Sequence, residues 1–92
     1  MNRQEIFEIV KELVIKHNPL LIGKASLSGD VYDHDVEGIV IFLVDKSNVI
    51  NRETIAKRVL FVFKNSFSKE AAKDAPYVLA RLSKDIFEKV KV

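Results

Sequence analysis

Residues 33–44 read Asp33-His34-Asp35-Val36-Glu37-Gly38-Ile39-Val40-Ile41-Phe42-Leu43-Val44, and the fold turns on how this stretch is read. From Val36 onward it is rich in β-branched residues and apolar on both alternate faces, which predicts a central strand covered on two sides. Before it, residues 29–35 are polar and turn-like. Further upstream, residues 20–28 alternate, with Leu21, Ala25 and Leu27 on one face and Lys24, Ser26 and Ser28 on the other, as a half-buried strand does. A short turn between two such runs predicts an antiparallel hairpin.

Helices are expected on either side. Asn2 with Glu5 three residues on is a capping-box start, and Ile6, Phe7, Val10, Leu13, Val14 and His17 recur at helical spacing. Asn18-Pro19 ends that helix, because the residue before proline is pushed out of helical dihedrals. Downstream of the hairpin, Asn51 is a good N-cap for a helix with Ile55, Val59, Val62, Phe63 and Phe67 on one face, although Val59-Leu60-Phe61-Val62-Phe63 also reads as a strand. Residues 66–74 read as a polar connection or a short helical turn. Pro76 then suits the first turn of a last helix that turns Val78, Leu79, Leu82, Ile86 and Val90 inward. The expected fold is therefore α+β: helix–strand–strand–helix–helix in two layers, with a small, mainly antiparallel sheet. Two strands alone are marginal in water. A third would come from Val59-Leu60-Phe61-Val62-Phe63, from the C-terminus or from a partner chain.

Ninety-two residues, 48% of them hydrophobic, are expected to form one domain over residues 1–92. The chain has no cysteine, which removes disulfides, thiolate metal sites and thiol nucleophiles and fits a reducing, cytoplasmic setting. Its polar start, Met1-Asn2-Arg3-Gln4-Glu5, does not read as a signal peptide. The longest apolar run, Ile39 to Val44, is six residues, against the roughly 20 that span a bilayer, so no membrane partner is expected.

Charge is uneven. Residues 30–45 hold five acidic side chains (Asp30, Asp33, Asp35, Glu37 and Asp45) and no Lys or Arg, leaving 15 basic and eight acidic residues elsewhere. On a strand, Asp33, Asp35 and Glu37 would point the same way and present hard oxygen ligands to Mg²⁺ or another divalent ion. The same residues with Gly38 fall on positions 1, 3, 5 and 6 of an EF-hand loop, but the twelfth position, which needs a bidentate Glu, is Val44. Read without a metal, these acids are a solvated hairpin loop guarding an apolar strand against edge pairing.

Residues 20–44 resemble the core of minimal nucleotidyltransferases of the DNA polymerase β type. In that family a Gly-Ser loop leads into a strand that opens with Asp-x-Asp and holds Mg²⁺. The resemblance puts Asp35-Val36-Glu37 at the Asp-x-Asp and residues 23–29 at the glycine loop. This chain departs from the pattern with Lys24 after Gly23, Ser28 before Gly29, Glu37 in place of the second Asp, and no clear strand for a third carboxylate.

Arg52, Lys57, Arg58 and Lys64 make the second expected helix basic enough to contact phosphate, while Phe61, Phe63 and Phe67 read as core. His17 and His34 form no metal pair, and neither has a serine at a readable spacing for a triad. A thin apolar hairpin without a complete catalytic set points first to a non-catalytic interaction or assembly module, acting as an oligomer or as a subunit with a protein partner. A metal-dependent nucleotidyltransferase and a nucleic-acid binder are the alternatives.

Overall fold

The computed structural model describes residues 1–23, 27 and 29–90, and the described residues contain helices and no strand. Four helices carry the fold: α1 (Arg3–His17), α2 (Asp33–Val44), α3 (Arg52–Phe63) and α4 (Lys69–Lys89). Each packs on two others, α1 on α2 and α4, α3 on α2 and α4, so the four close into a ring. All four contribute to one core, including Val10 and Val14, Val36, Ile39 and Val40, Val59 and Phe63, and Leu82 and Ile86.

The α+β expectation is corrected at α2. The stretch expected to be a central strand is a helix that buries Val36, Ile39, Val40 and Leu43, the i, i+3, i+4, i+7 set of one helical face. The residues between them supply the contrast that the composition hid: Ile41 is 48% exposed and Phe42 only half-buried. β-Propensity records how a side chain packs against its neighbours, and here the neighbours are helices. Asp33 in the first turn also suits the positive end of the helix dipole. No hairpin forms: Leu20 and Leu21 lie in a turn, and residues 24–26 and 28 of the expected first strand fall outside the described residues. Val59-Leu60-Phe61-Val62-Phe63 is helical within α3, and Glu88 and Lys89 end α4, so neither supplies a third strand; residues 91–92 fall outside the described residues.

The flanking helices follow their local signals. Asn2 and Glu5 form the capping box of α1, and Asn51 caps α3 by accepting from the Thr54 N–H at 2.9 Å. The last helix starts earlier than Pro76 implies. Ser68 caps it, accepting from the Ala71 N–H at 3.2 Å, and Ala71 and Ala75 are buried one and two turns in. Pro76 sits exposed inside α4, where it cannot donate to the Ala72 carbonyl.

The entry to α2 is held by Tyr32, 1% exposed. Its hydroxyl donates to Asn18 Oδ1 at 2.7 Å and accepts from the Leu20 N–H at 3.0 Å. Asn18 takes the left-handed conformation (φ 45°, ψ 60°) that ends α1, and its amide exchanges hydrogen bonds with both backbone groups of Ile22. The Tyr32 ring meets Phe63 edge-on, with centroids 6.1 Å apart. One side chain thus ties the end of α1, the start of α2 and the end of α3 together.

Candidate functional site

The acidic cluster comes apart on a helix. At about 100° per residue, alternate residues stand about 200° apart, so Asp35 faces away from Asp33 and Glu37. Asp33 and Glu37, one turn apart, both turn to α1: Lys11 Nζ lies 3.1 Å from Asp33 Oδ1, and Arg3 pairs with Glu37. Asp33 Oδ1 is inaccessible to solvent and the lysine meets it off the line of a hydrogen bond, so that oxygen depends on charge alone. Asp35, partly buried, has its carboxyl pushed above the ordinary range by desolvation, an effect opposed by neighbouring His34 and by its own backbone N–H. Two of the three candidate ligands therefore serve the α1–α2 seam. Among the described residues no three His, Asp or Glu side chains converge as a metal site. The helix also removes the strand on which the nucleotidyltransferase resemblance set Asp35 and Glu37.

The basic residues of α3 fare differently. Taking Ile55 as zero, about 100° per residue places Lys57 near 200°, Phe61 near 240°, Lys64 near 180° and Leu60 near 140°. Buried Val59 and Phe63 lie on the opposite side. Lys57, Leu60, Phe61 and Lys64 thus form the outward stripe of α3, with Leu60 54% and Phe61 58% exposed. Reading Phe61 as core is corrected here: only Phe63 is buried, and Phe67 is half-buried. The signal was in the sequence, since the arithmetic that turns Lys57 outward does the same for Phe61.

Arg58 flanks that stripe and reaches toward α2. Its Nε–H donates to the Gly38 carbonyl at 3.0 Å, and its guanidinium lies 5.8 Å from the Phe42 ring centre and 5.1 Å from that of Phe61. Lys64 Nζ stands 5.3 Å from the Phe61 ring centre. Gly38 permits the close approach, because a Cβ there would stand 3.2 Å from Val62 Cγ2. Between the helices runs an open cleft of about 570 Å³, lined by Ile41, Phe42, Thr54, Lys57, Arg58 and Phe61, with Asp45 and Asn48 at one end. Asp45 is occupied locally: it accepts from the Ser47 N–H and hydroxyl at 2.9 and 2.7 Å, which holds its carboxyl below the usual carboxylate range. Lys57 pairs with Glu53 across one exposed turn at 3.3 Å. Among the described residues, Arg52, Arg58 and Lys64 have no carboxylate partner.

Sequence reasoning also missed a link between α1 and α4. His17 Nε2 donates to Asp85 Oδ2 at 2.7 Å, and that hydrogen bond holds the Asp85 carboxyl below the usual range. The pair joins two helix surfaces.

No family model matches the chain, and neither a curated protein nor a solved structure shows significant similarity to it. Among the described residues, no helix is long and apolar enough to cross a membrane.

Proposed function

We propose that this chain is a non-catalytic protein-interaction module whose docking face is the cleft between α2 and α3. One observation carries the reading. Ile41, Phe42 and Phe61 line the same cleft, with Ile41 and Phe61 about half exposed, although the chain has a core in which to bury such side chains. Large apolar side chains gathered in one concave place and rimmed by charge mark an interaction site. Lack of cysteine supports work in a reducing compartment such as the cytoplasm.

Panning a displayed peptide library against the intact chain tests this. The double variant Ile41→Ser, Phe61→Ser serves as counter-selection after its melting curve is shown to match the parent. The reading expects a consensus with apolar anchors that binds the parent and not the variant. Absence of any such consensus would sink it.

A second reading has its own observation: exposed Phe61 lies among Arg58 and Lys64, the pairing of aromatic and cation that binds single-stranded nucleic acid. With Arg52 and Lys57, four phosphate contacts would give a log–log salt slope of at most about −2.8 on a single strand. Anisotropy of a labelled oligonucleotide across a salt series measures it, and no binding at tens of micromolar protein in low salt ends this reading.

A further inference from the structure

The outward stripe of α3 has a charge pattern that restricts what can cover it. Lys57 and Lys64 stand one at each end of the apolar pair Leu60 and Phe61, with Arg58 beside them laid across Phe61 and Phe42. Asp45, the carboxylate in the cleft lining, and Glu53, one turn before Lys57, are each engaged, Glu53 with Lys57 and Asp45 with Ser47.

We infer that this face takes an amphipathic helix from another protein, with acidic side chains flanking its apolar anchors. The anchors fill the cleft beside Phe61 and Ile41, and the acids meet Lys57, Lys64 and the Arg58 guanidinium. This inference rests on the docking role proposed above and adds the chemistry of the partner.

A second copy docking through its own α3 or α1 fits poorly. Two α3 helices packed antiparallel about Leu60 and Phe61 set Lys57 of one against Lys64 of the other, and a parallel pairing sets each lysine against its own equivalent. Both bring like charges together where water is being expelled, which is costly. The α1 helix of a second copy is acidic on its outside, at Glu5, Glu8 and Glu12, yet its apolar side chains are buried or packed on its own core, so it has no anchor to offer. A lipid surface is flat, whereas Ile41, Phe42 and Phe61 line a cleft between two helices. A partner with the complementary pattern has the form Glu-x-x-Leu-Leu-x-x-Glu on one helical face, matching Lys57, Leu60, Phe61 and Lys64 in spacing. Arg58 is prepared for it: its Nε–H donates to the Gly38 carbonyl and its guanidinium lies over two rings, so a carboxylate meets a positioned guanidinium.

The test uses the intact 92-residue chain and two labelled helical peptides of equal length, one with the Glu-x-x-Leu-Leu-x-x-Glu face and a twin with Lys for each Glu. Fluorescence anisotropy should show the acidic peptide binding more tightly than its twin by at least about tenfold, with the margin shrinking as salt is raised. Phe61→Ser should weaken the acidic peptide by at least about tenfold. The double variant Lys57→Glu, Lys64→Glu should reverse the preference, an outcome that loss of folding cannot imitate. Equal affinity for the twins, or none for either, overturns the inference. So does a dimer in sedimentation that Phe61→Ser disperses, which gives the face to a second copy. Binding to phosphatidylserine vesicles or to a single-stranded oligonucleotide that Phe61→Ser abolishes, with no preference between the peptides, also overturns it. A display consensus that is apolar but not acidic ends this inference and leaves the docking role standing, whereas the lack of any consensus ends both.

Discussion

The two faces of α2 meet their neighbours' charges to opposite ends. On the α1 side, Asp33 and Glu37 meet Lys11 and Arg3, and the charges are consumed in holding two helices together. On the α3 side, Ile41 and Phe42 meet Phe61 and Arg58 across an open cleft, and Arg58 and Lys64 lack carboxylate partners among the described residues. A seam whose charges are matched is finished. A face with exposed aromatic surface and unmatched cations is complete only when something lies on it.

If that contrast holds, the two phenylalanines of α3 should separate most widely. Phe63 is fully buried against Tyr32, so Phe63→Ala should cost about 3–5 kcal/mol. Phe61→Ala should stay within about 0.5 kcal/mol, as surface changes do. Urea melts of the two variants measure this directly, and comparable losses would mean that Phe61 belongs to the core after all.

The lysines should divide in the same way, by less. Lys11→Met leaves the inaccessible Asp33 Oδ1 with no compensating charge, a loss of about 1–3 kcal/mol. Lys57→Met gives up only an exposed pair with Glu53, at most about 0.5 kcal/mol. Adding Asp33→Asn to Lys11→Met should recover part of the first loss, and a double-mutant cycle without coupling would remove the seam's electrostatic role.

Two carboxylates should respond to pH with opposite signs. Asp35 is raised by burial, so its contribution to stability is present below the ordinary carboxylate value of about 3.9 and is lost as pH rises through the raised value. At neutral pH its charge therefore opposes folding, and Asp35→Asn should raise the melting temperature. Asp85 is lowered by its bond to His17, so its contribution is present above that ordinary value and is lost as pH falls through the lowered one. Asp85→Asn should lower the melting temperature at neutral pH. The two variants should converge on the parent in acid, and shifts of the same sign for both would contradict these environments.

A small effect is also expected at the seam's rim. Arg3 and Glu37 are 55% and 40% exposed, so Arg3→Ala should cost about 0.2–1 kcal/mol and less in high salt. A loss insensitive to salt would mean that Arg3 acts through packing of its aliphatic stem.

How much could be read without the fold depends on how local each signal is. The caps of α1 and α3 are contacts between residues three apart, so Asn2 with Glu5 and Asn51 as a cap are legible in a line of text. So is the inward face of α1, where polar residues interrupt the apolar ones and expose the period. The His17–Asp85 bond spans 68 positions and leaves no local trace. Pro76 misled by being a good start signal in the wrong place: Ser68 and two small buried alanines carry α4 past it.

By itself, the sequence determined the framing helices, the absence of cysteine chemistry, the acidic segment and the basic stripe, because each is set by composition or by neighbours within one turn. Only the tertiary structure decided that residues 33–44 are a helix. Nine residues from Val36 to Val44 are apolar but for Glu37 and Gly38, so periods of two and of 3.6 fit them almost equally. What separates those periods is which side chains find a partner: Val36, Ile39, Val40 and Leu43 are covered by other helices, and Ile41 is not. The same choice split the acidic cluster between two sides of one helix.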